Sequence, residues 1–127
     1  MKVLLIDDSK VMRVACEGAL GRAGHQVISA ADGDQGLKLV HEAKPDLILL
    51  DMMLPKMSGL DLLQTMKQDP AVAAIPVIVF TSLSQKNEAK LLKAGAAAYL
   101  EKTEVLSNNS AGLIQAIERI TKKAAAV

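Results

Sequence analysis

The chain has 127 residues, a formal net charge of +1 and an apolar half that contains one Phe, one Tyr and no Trp. That length is one domain burying roughly two thirds of its unfolded surface, and the near-neutral charge gives no electrostatic case for nucleic acid or an anionic membrane as partner. A single cysteine, Cys16, excludes an internal disulfide and a Cys-based metal cluster; no apolar run is long enough to span a bilayer or serve as a leader, so the expected location is the cytoplasm.

In chain order, Lys2 to Ile6 (KVLLI) reads as a buried strand that stops at Asp7-Asp8-Ser9. A helix follows from Lys10, with Met12, Ala15, Cys16, Ala19 and Ala23 at helical spacing and Gly24 closing it. Gly18 inside that helix costs about 1 kcal/mol relative to Ala, and close packing is the expected reason for it. His25 to Ala30 is a mixed strand suited to a sheet edge. Asp32-Gly33-Asp34 opens a second helix with Leu37, Leu39 and Val40 as core candidates, ended by Pro45.

Leu47 to Leu50 is a continuous apolar run that ends at a carboxylate, Asp51. So short a run reads as a strand buried on both faces. Pro55, Ser58 and Gly59 lead into a third helix with Leu60, Leu63 and Met66 inward, which stops before Asp69-Pro70. Val77 to Phe80 is a fourth strand ending at Thr81. Gln85 to Ala94 reads as a helix closed by Gly95, Ala96 to Leu100 as a fifth strand, and a last helix carries Leu113, Ile117 and Ile120 on one face. The expected domain is 1–123, with 124–127 a short tail.

Strands alternating with helices argue a parallel sheet covered on both faces. The expectation is a flavodoxin-like, doubly wound α/β fold with strand order 2-1-3-4-5 and five helices. The second and fifth strands, its edges, are the least hydrophobic.

A parallel sheet gathers its strand C-termini at one edge, where open α/β folds bind ligands. That edge would collect Asp7, Asp8, Asp51 and Thr81, with Lys102 after the fifth strand. Carboxylates brought together repel one another unless a cation sits among them. An all-oxygen set without convergent His or Cys suits Mg²⁺ rather than Zn²⁺. Lysine and threonine supply a charge and a hydrogen bond for phosphoryl oxygens, which leaves a carboxylate as nucleophile. Taken singly, each residue has a plainer reading: Asp7-Asp8 as a helix cap, Thr81 as a turn residue, Lys102 as a solvated charge, Tyr99 as an edge-strand aromatic. Met52, Met53 and Met57 read as packing or loop residues, His25 and His41 as surface or edge residues.

With these residues in this order, the chain resembles a receiver domain of a two-component response regulator over its whole length. The resemblance rests on Asp7-Asp8, Asp51 with Pro55 and Gly59 after it, Thr81, Tyr99 and Lys102. It implies that Asp51 accepts a phosphoryl group from a histidine kinase or histidine phosphotransfer domain. Asp8 would bind Mg²⁺ directly and Asp7 largely through water, with Asp51 and the backbone carbonyl of Met53 completing the set. Thr81 and Lys102 would hold the phosphoryl oxygens, and Thr81 and Tyr99 would form the switch. It implies a signalling module, as in chemotaxis, surface motility or phosphorelays, that catalyses only its own phosphorylation and dephosphorylation. A target protein would dock on the face of the fourth helix, fifth strand and fifth helix, on a monomer or weak dimer.

One departure stands out. Thr103 follows Lys102 where the family usually has a proline in a cis peptide bond, and cis without proline costs about 3 kcal/mol. Met53 and Leu83 are apolar at the positions that, in receivers, tune water access to the aspartyl phosphate, which predicts slow hydrolysis. The last helix leaves no residues for an output module, so the expectation is a stand-alone receiver. The alternatives are a phosphorylation-independent pseudo-receiver acting as a scaffold, and a Mg²⁺-dependent phosphohydrolase. The latter commonly wants a second carboxylate where Met53 stands.

Overall fold

The computed structural model describes residues 1–52, 54, 57–81, 93–101 and 111–125. Its elements are β1 (Lys2–Ile6), α1 (Lys10–Arg22), β2 (Gln26–Ala30), α2 (Gly33–Ala43), β3 (Leu47–Asp51), α3 (Gly59–Lys67), β4 (Val77–Thr81), β5 (Ala98–Glu101) and α4 (Ala111–Ala125). The sheet runs β2-β1-β3-β4-β5, every neighbouring pair parallel. This is the flavodoxin-like order expected from the alternation. Of the helix expected over Gln85–Ala94, only its end is described, with Lys93 helical and Ala94 in the turn that follows.

The sheet is covered on both faces, and the apolar runs show how. Side chains alternate along a strand, so Leu4, Ile6, Ile48, Leu50, Val77 and Val79 pack with Val40 of α2 and Leu62, Leu63 and Met66 of α3. On the other face Val3, Leu5, Leu47, Leu49, Ile78 and Phe80 pack with Met12, Cys16 and Leu20 of α1 and Leu113, Ala116 and Ile117 of α4. Every residue of β3 is buried, whereas no residue of β5 is, and β2 has only Ala30 buried. Complete burial of a large aliphatic side chain stabilises by about 1.5–3 kcal/mol relative to exposure. The centre of the sheet therefore anchors the edge at which β3 ends.

The helix faces differ in detail from the spacing argument. In α1 the buried set is Met12, Cys16, Ala19 and Leu20, while Ala15 is half-buried and Ala23 exposed. Ala23 is the C-cap, where the chain turns away from the sheet. Gly24, just beyond, has φ +91°, the left-handed conformation that favours glycine after a helix. In α3 Leu62, Leu63 and Met66 are buried, and Leu60 is half-buried at its first turn. Leu37 and Leu39 of α2 are likewise half-buried. Gly18 is not a close-packing site: a Cβ there would meet only the guanidinium end of Arg22, at 3.2 Å. Gly36 of α2, by contrast, is tight: a Cβ there would lie 2.6 Å from Ile6 Cδ1. β5 starts at Ala98 rather than Ala96, since Ala97 still sits in the bend that donates its amide to Val77. Helix α4 continues through Ala125.

Candidate functional site

The site forms where β1 and β3 end side by side. Ile6 pairs with Leu50, so the next residues, Asp7 and Asp51, leave adjacent strands together. Both are completely buried, the only charged residues in the core of the described chain. Asp8, next along, is exposed.

The backbone around Asp7 is held on several sides. Its amide donates to the Ala30 carbonyl of β2 at 3.1 Å, carrying the β1–β2 ladder one step past the strand. Its carboxylate Oδ1 accepts the Ser9 amide at 2.8 Å. Its carbonyl accepts from the Arg13 guanidinium at 2.7 Å. The helix cap is Ser9, whose hydroxyl accepts the Met12 amide. The reading of Asp7-Asp8 as the cap of α1 is thus overturned: a serine satisfies the orphan amide there, and neither aspartate is occupied by that role.

The Asp51 side is built by a chain reversal. The Met52 amide donates to Phe80 O at 2.9 Å, and the Met52 carbonyl accepts the Gly59 amide at 3.0 Å. Ser58 caps α3 through the Asp61 amide. The first helical residue therefore presses on the end of β3: a Cβ on Gly59 would overlap the Asp51 carbonyl oxygen and lie 2.8 Å from Met52 Cα. Met57, in the same loop, rests on α2, where a Gly33 Cβ would come within 3.0 Å of it. Met52 and Met57 are packing residues at the rim of the core.

One carboxylate oxygen from each of Asp7, Asp8 and Asp51 lies within 4.8 Å of the others. This is the one such His, Cys or acidic group among the described residues. Three convergent carboxylates, two of them buried, form a hard oxygen donor set that fits Mg²⁺. The histidines lie elsewhere. His25 Nδ1 is 3.2 Å from the Met1 ammonium; burial and that positive charge lower its pKa. His41 Nε2 lies 2.7 Å from Asp69 Oδ2.

Thr81 closes β4 opposite Glu101, one register step beyond the Asp51–Phe80 pair. Tyr99 pairs with Val79 on β5 and packs, half-buried, against the α2–α3 side of the core, its hydroxyl oxygen out of reach of solvent. Met53, Pro55, Leu83, Lys102 and Thr103 lie outside the described residues, and with them the peptide bond after Lys102. The sequence reading passed over Arg13, Gly36 and the His41–Asp69 pair. Arg13 had a legible signal: helical side chains lean toward the N-terminus, so an arginine one turn past a cap reaches back over it.

The response regulator receiver domain family model matches residues 3–118, and the chain belongs to that family. Receiver domains are signalling modules, not conventional enzymes. The chain is 46% identical over 123 residues to the gliding motility regulatory protein of Myxococcus xanthus, covering 95% of this chain and 15% of that protein. It is 33% identical over 87 residues to protein PilH of Pseudomonas aeruginosa, covering 68% of this chain and 72% of PilH. Among solved structures, the chemotaxis response regulator CheY4 of Vibrio cholerae superposes with a TM-score of 0.84 at 27% identity, over 94% of this chain and 97% of that one. The N-terminal domain of a response regulator receiver protein from Methanoculleus marisnigri gives 0.74 at 31%, over 94% of each chain. The chain spans less than half the length of the first curated relatives it matches. No helix among the described residues is long and apolar enough to cross a membrane.

Proposed function

We propose that this chain is a phosphoacceptor receiver, phosphorylated on Asp51 by a histidine kinase or phosphotransfer domain and signalling through phosphorylation-dependent protein contacts. The observation that carries the reading is the convergence of Asp7, Asp8 and Asp51 at the C-terminal edge of the sheet. The Asp51 carboxylate attacks the phosphorus of phosphohistidine: an O–P bond forms, the N–P bond breaks, and the imidazole leaves with the bonding pair and takes up a proton. Asp8 would hold Mg²⁺ directly and Asp7 largely through water, with Asp51 and the Met53 carbonyl as the remaining protein ligands. Bound there, Mg²⁺ supplies the positive charge that the transferring phosphoryl oxygens require. Thr81 and Lys102 hold those oxygens, and Tyr99 turns inward with Thr81 to report the phosphorylated state.

The donor must cover the surface beside Asp51. Helix α1 starts one residue after Ser9 and exposes the apolar pair Val11 and Val14, at 71% and 59%. We assign this patch to donor docking. On the far edge β5 and α4 frame a cleft of about 340 Å³ lined by Tyr99, Leu100, Ala116, Arg119 and Ile120, which suits the face that binds a target. The motility and chemotaxis relatives favour a target in that kind of pathway.

Intact-mass measurement after incubation with acetyl phosphate tests the reading. One phosphoryl adduct is expected, dependent on Mg²⁺ and abolished by Asp51→Asn. No adduct under any condition would favour the phosphorylation-independent scaffold instead. Slow decay of the adduct is expected from the apolar Met53 and Leu83, and rapid decay would contradict it.

A further inference from the structure

We propose that Arg13 is a positioning residue for the Mg²⁺ site, acting through the peptide unit that joins Asp7 to Asp8; this rests on the reading of those two aspartates as the metal side of the site. The Arg13 guanidinium donates to the Asp7 carbonyl at 2.7 Å, at the short end for a charge-assisted bond. That carbonyl belongs to the Asp7–Asp8 peptide, and no cis peptide bond occurs among the described residues. In a planar trans unit the carbonyl and the following N–H point in opposite directions. Holding the Asp7 oxygen on α1 therefore selects one of the two orientations this peptide could take, and with it the direction in which Asp8 leaves the backbone.

The need for such a tie follows from what else holds the turn. Asp7 is anchored through its amide on β2 and through its carboxylate on the Ser9 amide. Asp8 is exposed, and among the described residues no hydrogen bond or ion pair reaches its side chain. Its placement within 4.8 Å of Asp7 and Asp51 is thus set through the backbone. The hydrogen bond of Arg13 falls on the Asp7 carbonyl oxygen, a backbone group. Two roles for Arg13 have opposite signs. A cation that acted only by its charge would oppose Mg²⁺, and removing it would tighten binding. A residue that orients the peptide would weaken binding when removed.

The test is titration of ¹⁵N-labelled protein with MgCl₂, following the Asp8 and Ser9 amide signals, for the wild type, Arg13→Met and Arg13→Lys. Arg13→Met is expected to weaken Mg²⁺ binding roughly ten-fold, the scale on which groups supporting metal ligands act. Arg13→Lys keeps a donor without the planar fork and is expected to fall between the two. Phosphorylation by acetyl phosphate should recover toward the wild-type rate at saturating Mg²⁺, since the defect lies in the metal site. Either variant binding Mg²⁺ as tightly as the wild type, or more tightly, overturns the proposal. A rate that stays depressed at saturating Mg²⁺ also overturns it. Should Arg13→Met fail to fold, the comparison of Arg13→Lys with wild type decides alone. A wild type whose Asp8 signal ignores Mg²⁺ would overturn the underlying reading of the site, and this proposal with it.

Discussion

Three glycines show how a single absent Cβ shapes this molecule, and each carries a different expectation. Gly59 brings α3 against the backbone of Asp51 and Met52, and Gly36 lets α2 sit on Ile6. Gly59→Ala and Gly36→Ala should each destabilise by about 1–3 kcal/mol, the usual range for overpacking. Gly59→Ala should in addition slow phosphorylation of Asp51, because the clash lies on that residue's own carbonyl. Gly21 is the contrasting case, a helical residue with nothing within 4 Å of a Cβ. Gly21→Ala should stabilise by about 0.8–1 kcal/mol through helix propensity alone. Urea unfolding of the three variants measures all of this, and an equal effect at Gly59 and Gly21 would refute the packing argument.

Between elements, the His41–Asp69 pair ties α2 to the turn after α3. His41 Nδ1 faces the Leu37 carbonyl at 3.0 Å and Nε2 faces the Asp69 carboxylate at 2.7 Å. Both partners only accept, so the ring satisfies both by donating from each nitrogen, as the imidazolium. Those hydrogen bonds, the one to Asp69 first, raise the His41 pKa above 6.5. The bond from His41 and the Ala71 amide lower that of Asp69 below 3.8. The His41 contribution is fully present below pH 6.5 and is lost as pH rises through its raised folded value. The Asp69 contribution is present above pH 3.8 and is lost as pH falls through its lowered value. The stability difference between wild type and Asp69→Asn should therefore be largest between those limits and shrink toward alkaline pH. The pair is exposed, so added salt should shrink it too. Unfolding curves at pH 5.5 and 8.5 check both effects. Helix α1 carries a second expectation at this scale. Val11→Asp with Val14→Asp should lower the ratio of phosphotransfer from a donor protein to phosphorylation by acetyl phosphate. An unchanged ratio would remove the patch from donor docking.

For the molecule as a whole, the proposed metal site would link Mg²⁺ binding to folding. A ligand held only by the folded state stabilises it by about 2.7 kcal/mol at a hundred times its dissociation constant. Thermal unfolding should therefore shift upward with MgCl₂ and hardly at all with matched NaCl, and Asp8→Ala should abolish the difference. Equal shifts with both salts would mean general screening rather than a site. The anchor for this edge is the β3 core, where Leu50 precedes Asp51 and is fully buried. Leu50→Ala should cost about 2–5 kcal/mol, and so lower the melting point of the entire domain.

The sequence by itself determined the alternation of strands and helices, the strand order, the poorly buried edges and the aspartates on which the proposed function rests. These were legible because they are periodicities and punctuation: apolar runs of four, Asp32 and Ser58 at helix starts, a glycine after α1. The β1–β3 register then brought Asp7 beside Asp51, as a parallel sheet requires. Only the tertiary structure decided that Ser9 and not an aspartate caps α1, that Leu20 and Leu62 face the core, and that Gly36 is closely packed while Gly18 is not. It alone joined His41 to Asp69 across 28 residues and Arg13 to the Asp7 carbonyl. A helical period states which residues share a stripe, but the width of that stripe depends on the sheet it meets. A side chain's partner depends on where other elements dock, and neither is written in local spacing.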